Sequence, residues 1–217
     1  GGGELLQLDP AGFAILGRYG ESLTQALAVD PGSGELYVSS GDGIEIFDPH
    51  THQFRHFSNY RVDDLAFAPD GALWATSWPA RGDVVTFDAR GRAQVELRFD
   101  DAVDSLAFGR AGTALAGLLF LSGHPRPGIA AGASLVMVDL ATRQRVDVAT
   151  GGPLAESLAL TADGRLLIAN SAQVDVLAPV TAPAVVSVLP ADCTIVPLPL
   201  TSITVTFDRD MNAGGPG

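Results

Sequence analysis

The sequence contains no lysine, so all 13 of its basic side chains are arginines, and they stand against 25 acidic side chains. A net charge of −12 excludes a nucleic-acid backbone as the main partner, because binding to phosphates needs clustered basic residues. Cations, or partners with basic surfaces, are electrostatically favoured instead.

Cysteine and long apolar runs are equally scarce. Cys193 is the only cysteine, which excludes an internal disulfide. No apolar stretch reaches the ~18 residues that a membrane-crossing helix needs, so no membrane span is expected in this segment. The chain opens Gly1-Gly2-Gly3 without Met or a signal-peptide pattern, which favours a mature or excised segment.

What the sequence has in quantity is turn residues and apolar residues. With 25 Gly, 14 Pro and 47% hydrophobic residues, the composition indicates an all-β protein. The clearest unit, residues 61–99, contains four short apolar or alternating runs separated by turns such as Pro69-Asp70-Gly71. Asp-Gly between apolar runs is typical of a tight hairpin, so we expect four antiparallel strands.

This pattern recurs about every 40 residues, the spacing of propeller repeats. Three columns carry it: a Leu-Ala-apolar triplet, a turn after it, and an apolar-Asp pair that ends the third strand. The triplets begin at Leu27, Leu65, Leu106 and Leu158, and the aspartates are Asp9, Asp48, Asp88 and Asp139. The repeat favours an all-β propeller of four-stranded blades over a β-sandwich, which does not require the same triplets to return.

The repeats depart from this pattern at both ends of the propeller region, residues 1–180. Two strands come first, three complete repeats follow, and three strands end the region. We therefore expect four to five blades, in a ring that is incomplete or closes irregularly. An insert of about ten residues, including Gly123 to Gly128, lies between Leu118 and Ser134 in the third complete repeat.

The propeller motifs resemble a broad group of lyase-like and NHL-like bacterial propellers. Shared patterns are L-A-x-x-P-D-G-x-L, seen at Leu65 to Leu73, and I-x-x-F-D, seen at Ile44 to Asp48. The resemblance implies a fold, and function does not follow from it.

Residues 181–217 have a different composition. Thr181-Ala182-Pro183 is typical of a stiff linker. An alternating run follows it from Ala184 to Asp192, and a second extends from Ser202 to Met211. Together with Val196-Pro197, these resemble the opening of bacterial Ig-like domains of the surface-layer type. Such a domain needs roughly 100 residues, so this one would be truncated or completed by another chain. The resemblance implies an extracellular, multidomain parent.

One group of candidate binding residues lies on loops. In a four-stranded blade, the loop between the second and third strands shares a face with the connections between blades. This arrangement, and the enrichment of aromatic and arginine side chains in recognition surfaces, predicts a ligand-binding face. Its residues are Tyr60, Trp78, Arg81, His124 and Arg126. Alternatively, Trp78 packs on a neighbouring blade and the insert has no role.

A second group stands two residues before each Leu-Ala triplet. Its members are Gln25, Asp63, Asp104 and Glu156. At the mouth of a central channel, the carboxylates of Asp63, Asp104 and Glu156 could hold a hard cation such as Ca²⁺. Alternatively, these carboxylates bond to nearby backbone amides or stay solvated. No other cofactor is expected.

The other polar residues in the repeats are expected to have structural roles. The apolar-Asp aspartates are expected to form Asx turns with their own loops. His50, His52 and His56 read as surface composition, although they could form a transition-metal site. No nucleophile motif is present, so no catalytic residue is predicted.

The leading hypothesis is a non-enzymatic module of a secreted or surface-displayed bacterial adhesin, fibre or scaffold protein. Its partner would be a protein or glycan ligand, or neighbouring copies of itself. The first alternative is a propeller enzyme of lyase or lactonase type, with His124 and Glu156 in the roles that lyase-like propellers give to His and Glu. The second is a filament subunit whose Ig-like strands pair with a neighbour's sheet edge.

Overall fold

The computed structural model describes residues 3–79, 82–124, 132–152, 155–170, 172–179, 185–190 and 202–207, without the side chains of residues 24, 25 and 155. Two compact units, Gly1–Ala178 and Pro179–Gly217, divide the chain. The described residues form strands and turns, and they include no helix that is long and apolar enough to span a membrane.

The first unit is a β-propeller of four antiparallel sheets, each built from consecutive strands. Blade 1 contains β1 (Gly3–Leu8), β2 (Ile15–Val29), β3 (Leu36–Ser40), β4 (Gly43–Asp48) and β5 (Gln53–Ser58). Blade 2 contains β6 (Val62–Phe67), β7 (Leu73–Ser77), β8 (Asp83–Phe87) and β9 (Ala93–Arg98). Blade 3 contains β10 (Ala102–Phe108), β11 (Leu118–His124), β12 (Ala133–Asp139) and β13 (Arg145–Gly152). Blade 4 contains β14 (Ala155–Leu160), β15 (Leu166–Asn170) and β16 (Val174–Leu177). The predicted all-β propeller is confirmed, with four blades.

Glycines make the tight connections between strands possible. At the predicted Asp-Gly turn of blade 2, Gly71 has a φ of 87°, and the Ala68 N–H donates to the Ala72 carbonyl over 2.9 Å. At the start of β4, Gly43 has a φ of 135° and lies so close to Ser58 that a Cβ would stand 1.9 Å from the Ser58 carbonyl oxygen. A larger residue at Gly43 would therefore force β4 away from β5.

The N-terminal hairpin, β1 paired with residues 15–23 of β2, differs from the expected pair of separate strands. β2 runs without a break from Ile15 to Val29, pairing with β1 along its first half and with β3 along its second. Tyr19 packs its ring on Phe47, with centroids 5.0 Å apart, and donates its hydroxyl to Gln7 over 2.9 Å. The hairpin therefore joins the sheet of blade 1.

The blades pack through the Leu-Ala column of their innermost strands. Each Leu faces the preceding blade, while the Ala after it faces the following blade. The buried core between blades 1 and 2 contains Leu65 with Ala28, and the core between blades 3 and 4 contains Leu158 with Ala107. Between blades 2 and 3 the same pattern places Leu106 near Ala66 in the largest apolar cluster.

The arc of blades is open in the described structure. β2 packs against β6, β6 against β10, and β10 against β14, but β14 and β2 make no comparable contact within the described residues. Blade 4 has three strands, and its outermost strand β16 pairs with β15 alone.

The second unit is described over two strands, β17 (Val185–Leu189) and β18 (Thr204–Phe207), which pair antiparallel. Both strands lie within the runs that resemble an Ig-like opening. Val196, Pro197 and Met211 of that resemblance fall outside the described residues, as does Cys193. The Ig-like domain therefore stays a prediction.

Candidate functional site: the central cavity and its loop face

The four innermost strands line one central cavity of about 1040 Å³. Each contributes its Leu-Ala segment, and Pro31, Pro69 and Arg110 follow where the strands leave one end. Asp64 also lines this cavity.

Asp64 connects blade 2 to blade 3. Its Oδ2 accepts from the Ser105 hydroxyl over 2.5 Å and from the Leu106 N–H over 3.0 Å, and its Oδ1 accepts from the Leu65 N–H over 2.8 Å. The Ser105 hydroxyl in turn accepts from the Leu158 N–H of blade 4 over 3.0 Å. Asp64 and Ser105 therefore form a hydrogen-bonded relay across three blades, which we call the inter-blade relay.

Burial raises the pKa of the Asp64 carboxyl, although its hydrogen bonds from Ser105 and from two backbone N–H groups act in the opposite direction. The second strand of blade 2 fixes its position, because the Thr76 hydroxyl accepts from the Asp64 N–H over 2.9 Å. That hydroxyl also lies 3.3 Å from the Asp104 carbonyl oxygen, to which it donates. Thr76 thus holds the entry segments of blades 2 and 3 in register.

The loop face is the end of the blades where the second strands stop. The pairings Leu65 with Ala75 and Leu106 with Leu121 make Trp78 and His124 equivalent positions in neighbouring blades. Trp78 is 44% exposed, and the Arg61 guanidinium lies 5.2 Å from the centre of its ring. The described structure therefore shows an accessible aromatic ring on the loop face.

His124 and Asp104 form a hydrogen-bonded pair on the same face. His124 Nδ1 lies 2.7 Å from Asp104 Oδ2, and both side chains are partly buried. Burial raises the pKa of Asp104, the hydrogen bond and charge of His124 lower it, and the charge of Asp63 raises it further. The like charge of Asp63 therefore disfavours the ionised form of Asp104.

The raised pKa of Asp104 predicts a pH dependence of stability. Because the folded state keeps this proton to a higher pH than the unfolded chain, the Asp104 contribution falls as pH rises from the ordinary carboxyl value to the raised one. We expect Asp104→Asn to gain stability relative to the wild type as pH rises through that window. Urea unfolding at steps between about pH 3 and pH 7 measures the difference.

Asp88 is a control for which the change of stability with pH has the opposite sign. Hydrogen bonds from the backbone N–H groups of Arg92 and Arg90 lower the pKa of Asp88, so its stabilising contribution is present above the ordinary value and is lost as pH falls. Asp88→Asn should therefore lose stability relative to the wild type as pH rises. Parallel profiles for the two variants would contradict the assignment.

The other predicted site residues have different surroundings. Tyr60 is half-buried, with its ring edge-on to Phe87 at 6.1 Å, so it packs in the core between blades 1 and 2 as well as bordering the loop face. Glu156 is exposed at the start of β14. Arg81 and Arg126 lie outside the described residues, as does the insert from Pro125 to Ala131.

The predicted calcium site combines Asp63, Asp104 and Glu156. Within the described ranges, no group of three or more His, Cys, Asp or Glu side chains is placed to hold a metal. The structure does pair Asp104 with His124. Calcium binding stays a prediction.

The apolar-Asp column forms the predicted Asx turns. In each case a carboxylate oxygen accepts from the N–H two residues later. The accepting residues are Asp9, Asp48, Asp88 and Asp139, with donor distances of 3.0, 2.8, 2.8 and 2.9 Å.

The histidines near the turn of blade 1 have local partners. His56 bonds to Glu45 over 2.8 Å, and His52 lies 4.7 Å from the Tyr19 ring.

Asp64 was not among the site residues predicted from the sequence. Its column, directly before each Leu, reads Ala26, Asp64, Ser105 and Ser157. A polar residue at a position that enters a buried strand was the available signal, because such a group needs a hydrogen-bond partner.

Comparison with known proteins supports the fold. No family model matches the sequence, and no curated protein matches it. A structure described as the extracellular domain of a hybrid two-component system from B. thetaiotaomicron is 13% identical, with a TM-score of 0.53 over 76% of this chain and 22% of that one. A chain of a nidogen/laminin complex is 14% identical, with a TM-score of 0.57 over 83% and 76%.

A third similar structure is a gluconolactonase from Xanthomonas campestris, 19% identical, with a TM-score of 0.52 over 78% of this chain and 60% of that one. The chain spans about a fifth of the first of these three structures. At these identities the likeness shows a shared propeller fold, and the matched proteins include extracellular domains and an enzyme.

Proposed function

We propose that the chain is a binding module of an extracellular or surface-displayed bacterial protein, and that its ligand sits on the loop face. The observation that carries this proposal is the equivalence of Trp78 and His124, which places an exposed indole and a histidine-carboxylate pair on adjacent blades. Arg81, Arg126 and the edge of Tyr60 are proposed to complete the surface.

The chemistry of this face favours a glycan. An exposed aromatic ring stacks on the apolar face of a sugar, and nearby carboxylates accept hydrogen bonds from its hydroxyls. Asp104 is paired with His124, so the pair offers both acceptors and a donor. With a net charge of −12, the chain favours neutral or basic ligands over acidic ones. A basic protein segment is the other outcome that the test distinguishes.

Tryptophan fluorescence tests the proposal directly, because the chain has two tryptophans in different environments. Trp74 is buried beside Phe108, whereas Trp78 is exposed. A neutral oligosaccharide that stacks on Trp78 should shift its emission, and Trp78→Ala should weaken binding at least tenfold, which is about 1.4 kcal/mol. Calorimetry against a panel of neutral oligosaccharides and arginine-rich peptides measures both affinities.

Phe13→Ala is a matched control, because Phe13 is exposed but lies in the turn of the N-terminal hairpin. Equal loss of affinity in the two variants would contradict a loop-face site. Binding of the peptides alone would assign the face to a protein ligand.

An enzyme of lyase or lactonase type is the second candidate, favoured by one observation. The hydrogen bond between His124 and Asp104 is the arrangement in which a carboxylate orients a general base. In a protein with measurable turnover, loss of activity in Asp104→Ala and in Glu156→Ala would favour this reading. Asp139→Ala, which removes an Asx turn remote from the pair in sequence, should leave turnover unchanged.

The extracellular location and the role in an adhesin, fibre or scaffold are part of the same proposal. They are supported by the Ig-like resemblance of residues 181–217 and by the extracellular domains among the similar structures. If Ig-like strands instead build a filament by strand addition, deleting residues 184–217 should abolish assembly.

A further inference from the structure

Three of the four Leu residues in the Leu-Ala column are covered by a preceding blade. Leu65, Leu106 and Leu158 are 4%, 3% and 7% exposed, and each packs in a cluster with an alanine of the blade before it. The blade interface is therefore the same contact used three times: a Leu column meeting an Ala column.

Leu27 holds the same register in blade 1, but it is 45% exposed. Val29, two residues later on the same face of β2, is exposed as well. The N-terminal hairpin covers only the outer part of this face, where Tyr19 packs on Phe47. We call the uncovered inner part, Leu27 and Val29, the head face.

Blade 4 shows the complementary surface. Ala159 is exposed, whereas Ala107 at the equivalent position of blade 3 is buried against blade 4. Val174 and Val176 on β16, equivalent to Leu135 and Met137 of blade 3, are 59% and 51% exposed. We call Ala159, Val174 and Val176 the tail face.

We propose that the tail face of one copy of this chain binds the head face of a second copy. On the head face, Leu27 lacks the alanine of a preceding blade. On the tail face, Ala159 lacks the leucine of a following blade. A second copy supplies both missing halves, and the contact continues an interface that the chain already makes three times. In the described structure, β14 does not cover β2 of its own chain.

The N-terminal hairpin of the second copy belongs to the sheet of its own blade 1. The three strands of blade 4, β14 to β16, therefore pack face to face on that blade 1, as consecutive blades pack within one chain.

Such a contact is heterologous, because each copy uses two different surfaces. Heterologous contacts build a closed ring if the rotation closes and an open chain if it does not. Each copy carries a net charge of −12, so copies repel at low salt, whereas the contact itself is apolar. Association should therefore strengthen as salt is raised.

Sedimentation of the full chain over a range of concentrations tests the proposal. Leu27→Asp blocks the head face and Ala159→Asp blocks the tail face, so each variant alone should bind itself at least tenfold more weakly than the wild type. Because each variant retains one intact face, an equal mixture should form 1:1 dimers. Val95→Asp, at an exposed position of β9 in blade 2, is the matched control and should associate as the wild type does.

Several outcomes would overturn the proposal. A wild-type chain that stays monomeric at high salt and high concentration means that the end faces are not covered by a second copy. Association that survives both blocking variants places the contact elsewhere. If the mixture of variants gives no dimer although each is folded by circular dichroism, the contact is not head to tail.

Discussion

Asp64→Ala is expected to lower the free energy of unfolding by about 3 kcal/mol. The change leaves the N–H groups of Leu65 and Leu106 and the Ser105 hydroxyl without their acceptor at a partly buried position. Unsatisfied buried donors carry most of this cost, since the carboxylate itself is disfavoured by burial, as its raised pKa indicates. Urea unfolding at neutral pH measures the loss.

Two further variants separate the relay from a general effect of losing a charge. Asp64→Asn keeps an acceptor oxygen and should cost less than half as much. Asp70→Ala removes a carboxylate that accepts from the Ala72 N–H at an exposed turn, and we expect a loss under about 1 kcal/mol. Equal losses for Asp64→Ala and Asp70→Ala would show that the inter-blade relay is not stabilising.

A double-mutant cycle extends the test to blade 4. The Ser105 hydroxyl donates to Asp64 and accepts from the Leu158 N–H, so Ser105→Ala breaks the relay at its centre. The losses from Asp64→Ala and Ser105→Ala should not add, because both variants remove the same bond. Strict additivity would mean that the two residues act independently.

Leu106→Ala and Leu27→Ala should differ severalfold in cost, although the repeat places the two leucines at equivalent positions. Leu106 is 3% exposed within the largest apolar cluster, so its truncation leaves a cavity and should cost about 3 kcal/mol. Leu27 is 45% exposed, and its truncation should cost less than about 1 kcal/mol. Unfolding at low protein concentration compares the two variants without association.

The cost of Leu27→Ala relative to Leu106→Ala also tests whether the arc of blades is open. If blade 4 covered blade 1 within one chain, Leu27→Ala would cost as much as Leu106→Ala at every concentration. If copies associate head to tail, the cost of Leu27→Ala should rise with protein concentration, because binding stabilises the folded state by mass action. A large cost that is independent of concentration would contradict the open arc.

Much of the fold was predictable because it depends on local and repeated chemistry. The Leu-Ala column predicted the innermost strands, and Asp70-Gly71 predicted a hairpin whose Gly71 has the required positive φ. The aspartates that end the third strands predicted Asx turns, since those bonds reach only two residues along the chain. Each of these features is determined within a few residues of itself.

The features that were missed depend on contacts between distant segments. Asp64 bonds to Ser105 from 41 residues away, and the residue type in its column varies from blade to blade. The continuity of β2 was also missed, because Gly20 and Ser22, which favour a turn and have positive φ, stand within it. On the loop face, Trp78 and His124 were predicted individually, but the pairing of His124 with Asp104 required the register of β10 and β11.

The order of strands within the sheets has a consequence for how the chain folds during synthesis. Every sheet is made of strands that follow one another along the chain, so each blade can form its hydrogen bonds before the next blade has been made. Its Ala column, however, stays uncovered until the next Leu column arrives about 40 residues later. A nascent chain therefore exposes the apolar face of its last completed blade until the next blade is made. Slow translation between blades would lengthen the time in which this face can cause aggregation.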